Sequence, residues 1–277
     1  MIHSGEDEIR NNGYMISNLP LKYPVVLVHG IAANDRWKII DFWGRIPKIL
    51  KERGINVYFG NTDSWGDYDS NANILKNTID KILLETKAGK VNIISHSKGG
   101  IDSRYLIWKY NFADKIASLT TISTPHHGSE LADLIFKQPI VHSRIVKKAL
   151  MIFGKLYGDI NPDIYNVNYQ LTTGKMKEFN DSIKMDEKVY YQSMYTTMRN
   201  SFDDLMFFYS HLYLKKVCGE NDGVVSAKSA NWSDNVYNIE GGISHAEIVD
   251  YKKKNISGIN IPNVYLNIIG GLIDKGF

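Results

Sequence analysis

Ser97 stands at the end of the run Val91-Asn92-Ile93-Ile94-Ser95-His96 and directly before Lys98-Gly99-Gly100. A serine on a tight turn between a buried strand and a helix projects its hydroxyl out of the sheet, and small neighbours are needed where the two elements nearly touch. The common pattern for such a turn is G-x-S-x-G; here Ser95 takes the place of the first glycine. A hydroxyl attacks a carbonyl only when a base removes its proton. Of the eight histidines, His142, His211 and His245 lie well downstream of Ser97. His142 and His211 fall in helical patterns, whereas His245 sits in the glycine-rich Gly241-Gly242-Ile243-Ser244-His245 loop, the kind of segment in which a rigid sheet presents reactive groups. The acid that orients such an imidazole is expected at a strand end before it. Asp222, in Asn221-Asp222-Gly223-Val224-Val225 after the strand-like Tyr213 to Cys218, meets that need, with Glu220, Asp234 and Glu240 as alternatives. In this chain order Ser97, Asp222 and His245 describe acyl transfer through a covalent intermediate. The developing oxyanion needs two N–H donors. The backbone of Lys98 supplies one and that of Ile31, in His29-Gly30-Ile31-Ala32, the other.

The elements that must position these groups are legible as hydrophobic patterns. Tyr23 to Val28 is a continuous apolar run bounded by Pro24 and Gly30 and reads as a buried strand. A helix follows over Phe42 to Lys51, then a short strand over Ile55 to Phe59 and an amphipathic helix over Asn71 to Glu85. The Val91 strand leads through Ser97 into a helix carrying Tyr105, Leu106 and Trp108, and Ile116 to Ser123 is a further strand. Strands and helices alternating at this spacing predict parallel crossovers, an α/β sheet covered on both faces. From Glu130 to Asn200 the pattern is mostly helical; strand-like signals return at Lys188 to Met194, Tyr213 to Cys218 and Val236 to Ile239. The reading is a single domain over 1–277, its sheet interrupted by a helical insertion over about 130–200.

Composition removes several classes of function. The 277 residues carry 33 Lys and Arg against 30 Asp and Glu, a net charge of +3, too even for a nucleic-acid-binding face. One cysteine, Cys218, can form neither an internal disulfide nor a cysteine zinc cage, and His126-His127 lacks a second pair of ligands at metal spacing. The opening segment is polar and acidic, unlike a secretory leader, and no stretch reaches the roughly 18 apolar residues of a spanning helix. The chain is therefore expected to be soluble, either cytoplasmic or secreted.

The chain resembles the bacterial true lipases of the Pseudomonas and Proteus type. The matching stretches are Tyr23 to Gly30, Val91 to Gly100, Ser123-Thr124-Pro125-His126-His127-Gly128-Ser129, Leu171-Thr172-Thr173, Asn221 to Val225, and Ser244-His245 with an acid two positions on. The resemblance implies an α/β-hydrolase fold and action on carboxylic esters of fatty acids. It assigns the nucleophile to Ser97, the acid to Asp222, the base to His245 and the oxyanion donors to Ile31 and Lys98. It also implies a structural calcium near the histidine, for which Glu247 and Asp203 are the matching acids, although the expected side-chain oxygen six positions after His245 falls on Tyr251. No cofactor is required for the chemistry itself.

Substrate choice is expected to lie with the insertion. Ile140, Val141, Ile145, Val146, Ala149, Leu150, Ile152, Phe153 and Leu156 form an apolar face opposite Arg144, Lys147, Lys148 and Lys155. Such a helix either closes the pocket and opens at a lipid surface or packs on the sheet as an ordinary cap. The expected partners are a lipid or ester substrate and, transiently, a lipid interface, with no nucleic acid. Two rival functions share the pattern: an acyltransferase using the same three side chains, and a non-catalytic binding protein of the same fold.

Overall fold

The computed structural model describes residues 21–33, 35, 42–156 and 158–277. The polar opening segment, unlike a leader by its sequence, lies outside them. Among the described residues six strands form one sheet in the order β2-β1-β3-β4-β5-β6, every neighbouring pair parallel. In chain order the elements are β1 (Val25–Val28), α1 (Ile46–Glu52), β2 (Val57–Phe59), α2 (Tyr68–Thr86), β3 (Val91–His96), α3 (Lys98–Lys109) and β4 (Ile116–Ile122). Four helices follow, α4 (Glu130–Phe136), α5 (Arg144–Leu156), α6 (Ile164–Gln170) and α7 (Thr173–Ser182). The sheet resumes with β5 (Tyr190–Thr196), and then come α8 (Phe208–Val217), α9 (Ala227–Ala230), β6 (Val236–Ile239) and α10 (Ile261–Asp274).

Side chains alternate across the strands, so both faces of the sheet are apolar. Val25 and Leu27 pack with Trp43, Ile46 and Leu50 of the α1 segment and with Tyr265, Ile269 and Leu272 of α10. Val26 and Val28 pack on the opposite face with Leu75 and Ile79 of α2 and Leu106 of α3. A third cluster joins Ile101 of α3 to Ala132, Leu171, Met176 and Phe179, seating part of the insertion on the sheet's helical layer. Not all of the insertion is seated: Ile140, Ile145 and Ile152 are 69%, 82% and 48% exposed. Phe153 and Leu156, from the same apolar face, are outside the described side chains.

The stretch Tyr213 to Cys218, expected as a strand, is instead the end of α8 and its cap. The run is too short for alternation to be told from helical spacing, and the buried pair His211 and Leu214, three residues apart, marks one helix face. Asp222 therefore follows a helix, not a strand. After His245 the chain makes a single 3₁₀ turn, Glu247–Val249.

The strand order reverses between β1 and β3, since β1 leads outward to β2 while β3 returns on β1's other side. At such a switch point the loops after the two strands diverge onto opposite faces and leave a crevice at the carboxyl ends. The segment from His29 and the turn at Ser97 follow these two strands. They approach so closely that a Cβ on Gly30 would sit 2.6 Å from Cβ of Ser97, and one on Gly99 would sit 2.5 Å from the His29 carbonyl oxygen and 2.6 Å from that of Val28. Because backbone cannot yield as a side chain can, Gly99→Ala is expected to destabilise the protein by about 1–3 kcal/mol. A fall in the urea midpoint at unchanged slope would register it; a midpoint equal to the parent's would mean that strand and helix can separate.

Candidate active site

Ser97 has φ 54° and ψ −132°, a conformation that costs an L-residue energy and that its surroundings hold in place. Its N–H donates to the carbonyl of Ile122 on β4 at 2.9 Å, and its own carbonyl accepts from the Thr124 hydroxyl at 2.8 Å. Ser95, standing where a glycine is usual, is fully buried and donates its hydroxyl to the Thr120 carbonyl at 3.1 Å. The strand thereby absorbs a side chain at that position.

The sequence-derived candidates Ser97, His245 and Asp222 converge. His245 Nε2 lies 3.0 Å from Ser97 Oγ, and His245 Nδ1 lies 2.8 Å from Asp222 Oδ2. The chain is continuous only because Asp222 is oriented first: its Oδ1 accepts from the N–H groups of Val224 and Val225 at 3.0 and 2.8 Å, leaving Oδ2 for the imidazole. The Asp222 carbonyl also accepts from the His245 N–H at 2.9 Å, joining the two loops through their backbones. Ser97 and His245 are each 8% exposed. The alternative acids Glu220, Asp234 and Glu240 are all exposed. His142 lies on the surface beside the Tyr165 hydroxyl, and His211 is buried in α8 with Ser201 Oγ 2.7 Å from its Nδ1.

The two oxyanion candidates flank the serine. Lys98 is the first residue of α3, so its N–H has no partner within the helix. Its side chain turns away: the ammonium bonds both oxygens of Asp102, at 2.8 and 2.6 Å, and that carboxylate also accepts from Asn71 at 2.8 Å. Ile31 lies in the loop after β1 that Gly30 brings against Ser97.

His96 went unassigned in the sequence and is part of the site's frame. Its Nε2–H donates to the His245 carbonyl at 3.0 Å, and the two rings lie 4.6 Å apart. Only its position beside Ser97 hinted at such a role. A second missed frame is the pair Arg45 and Asp250. The buried Asp250 carboxylate accepts from the Arg45 backbone N–H and from Nε and Nη2 of its guanidinium at 2.7–2.8 Å, tying the His245 loop to the start of α1.

Asp203 and Glu247, the acids expected to share calcium, have separate partners. The Asp203 carboxylate accepts from the Arg199 and Asn200 N–H groups at 2.7 and 3.2 Å and pairs with the Arg199 guanidinium. Glu247 instead accepts from the Ser244 N–H at 3.0 Å and from Lys252 Nζ at 2.7 Å. Both carboxylates are thus already saturated by donors, and among the described residues no group of three or more His, Cys, Asp or Glu could hold a metal ion. This donor set does not fit a six-oxygen calcium site.

The palmitoyl protein thioesterase family model matches residues 24–232, from the start of β1 to beyond the Asp222 loop. The chain belongs to that family. Among curated relatives of this family member, a triacylglycerol lipase of Pseudarthrobacter phenanthrenivorans is 39% identical over 118 residues, 41% of this chain and 36% of the relative. Triacylglycerol lipase 2 of Saccharomyces cerevisiae is 29% identical over 259 residues, 86% of this chain and 75% of the relative. The match thus spans only about a third of the length of the bacterial lipases at 39% identity. The solved mature lipase BlEst2 of Bacillus licheniformis superposes with a TM-score of 0.65 at 26% identity, covering 90% of this chain and 93% of that one. The Staphylococcus hyicus lipase superposes at 0.71 with 16% identity, over 92% and 97% of the two chains, a likeness of fold alone. The fold is that of the α/β-hydrolases. No helix among the described residues is long and apolar enough to cross a membrane.

Two buried histidines are expected to make the protein less stable in acid. Burial holds the His96 imidazole well below its usual pKa, and the neighbouring His245 adds to the effect. Burial does the same for His126, helped by the Arg104 charge. In the unfolded chain both would take up a proton near pH 6.5, while the folded protein resists, so stability is fully present above that pH and falls below it. The expected slope is up to about 1.4 kcal/mol per pH unit for each group, beginning as pH drops through about 6.5. Urea midpoints measured from pH 7.5 to pH 5.5 test it, and a flat profile would mean that the folded protein accepts these protons.

Proposed function

We propose that this chain hydrolyses carboxylic esters of fatty acids through an acyl-enzyme intermediate. Ser97 Oγ attacks the ester carbonyl while His245 Nε2 takes its proton. Asp222 holds the tautomer with the proton on Nδ1 and stabilises the imidazolium that results. The oxyanion rests on the N–H groups of Lys98 and Ile31 until the carbonyl re-forms and the alcohol leaves with the proton from His245. Water then attacks the acyl-serine, delivering its proton to the same nitrogen, which returns it to Ser97 Oγ as the acid is released. The reading is carried by the unbroken hydrogen-bond run Ser97–His245–Asp222. The lipases among the relatives support the choice of ester and acyl chain. The exposed Ile140, Ile145 and Ile152 support contact between the insertion and a lipid surface, because a cap helix packed on the sheet would bury them.

Ser97→Ala is expected to lower ester hydrolysis by roughly 10³-fold or more with thermal unfolding unchanged, and to abolish labelling by a fluorophosphonate. Asp222→Asn should lower kcat by roughly 10²- to 10⁴-fold, since the amide no longer holds the imidazole in the tautomer with the proton on Nδ1 or offsets the imidazolium charge. Retained activity in the Ser97→Ala protein would end the proposal. A rate series from acetyl to long-chain esters, run above and below the solubility limit and beside a palmitoyl thioester, separates the substrates: a rise at the interface marks a lipid surface, and preference for the thioester marks sulfur as the leaving atom. Competing alcohols that divert the acyl group from water would identify a transferase.

A further inference from the structure

We propose that Lys252 is a positioning residue for His245, its ammonium serving as the built-in cation of the histidine loop in place of a bound metal. The inference rests on the reading of His245 as the base. Two carboxylates from separate segments meet under this loop, and both are nearly buried: Asp204 at 5% exposure and Glu247 at 3%. Lys252 Nζ lies 2.7 Å from Glu247 Oε1 and 3.2 Å from Asp204 Oδ2. Ser244, the residue before His245, completes a closed ring. Its N–H donates to Glu247 Oε2 at 3.0 Å, its hydroxyl donates to Asp204 Oδ2 at 2.7 Å, and the Glu247 N–H returns to that hydroxyl at 3.2 Å. The other oxygen of Asp204 accepts from the Met206 N–H and so anchors the loop after β5.

Two desolvated carboxylates at hydrogen-bond range from one ammonium cannot stay together without it, because removing one partner of such a cluster leaves an uncompensated buried charge. Burial works against the charge on Lys252, but the hydrogen bonds it donates to Glu247 and Asp204 outweigh it and raise its pKa above the usual lysine value. The position of Ser244 then follows from the cluster, and that of the His245 ring from Ser244. An imidazole displaced by about 1 Å from Ser97 Oγ would lose up to 10²-fold in rate. Asp204 rather than Asp203 is the acid that meets Glu247, and the cation between them is supplied by the chain.

The test uses the full chain and its Lys252→Met, Lys252→Arg and Glu247→Gln/Lys252→Met variants, with kcat and KM measured on a short soluble ester and thermal unfolding followed in EDTA and in excess calcium chloride. The expected parent is indifferent to both additions. Lys252→Met should lower the melting temperature and reduce kcat about tenfold or more at little changed KM. Lys252→Arg should regain most of that loss, and the double variant should melt above Lys252→Met, because removing one carboxylate relieves the excess charge. Parental kcat and melting in Lys252→Met, or additive losses in the double variant, would overturn the proposal; so would a calcium-induced rise in the parent's melting temperature. If Lys252→Met does not fold, the double variant and Lys252→Arg decide the same question. A parent that neither hydrolyses esters nor labels at Ser97 defeats the reading of the base instead, and the melting comparisons still judge the cluster.

Discussion

The backbone of Ser97, held at φ 54° and ψ −132°, sets the terms for the rest of the molecule. A residue in that conformation relaxes unless its neighbours over-determine it. Here the N–H is bound to β4, the carbonyl to Thr124, and the glycines at 30 and 99 let the β1 loop and α3 close in to contact. The sheet order supplies the remaining condition. Reversal between β1 and β3 sets the turn at the switch point of the sheet, where the connections after the two strands run to opposite faces.

A strained serine is useful only if the imidazole arrives from the far end of the chain with the right heading. The His245 loop has little regular structure of its own, and three attachments hold it. Asp222 binds it by side chain and backbone, His96 binds its carbonyl, and the Arg45–Asp250 pair fixes its exit toward α10. The cluster of Asp204, Ser244, Glu247 and Lys252 lies on its entry side. Buried charge of this kind adds little net stability compared with apolar packing, but it tolerates few alternative geometries. That is a suitable property for a loop whose side chain must stay within hydrogen-bond range of Ser97.

Much of this was legible before any coordinates. The apolar runs at Val25 and Val91 read as buried strands, and the small residues around Ser97 between a strand and a helix read as a tight turn, because both signals are local. Ser97, Asp222 and His245 were recoverable because residue type, loop chemistry and chain order restrict the choice to a few positions. The stretch Tyr213 to Cys218 reads as a strand in sequence because six residues with scattered apolar positions satisfy either period, and packing of His211 and Leu214 decides for the helix. Which acid meets Glu247, and that Lys252 lies between them, left no trace in spacing, since Asp204 and Lys252 are 48 positions apart and joined only through space. Local pattern therefore determined most of the elements and the turn, and with chain order it singled out the three candidate side chains. The heading of His245, the closure of the β1 loop on Ser97 and the pairing of buried charges were decided by tertiary structure alone, because each depends on distances between segments that no local rule encodes.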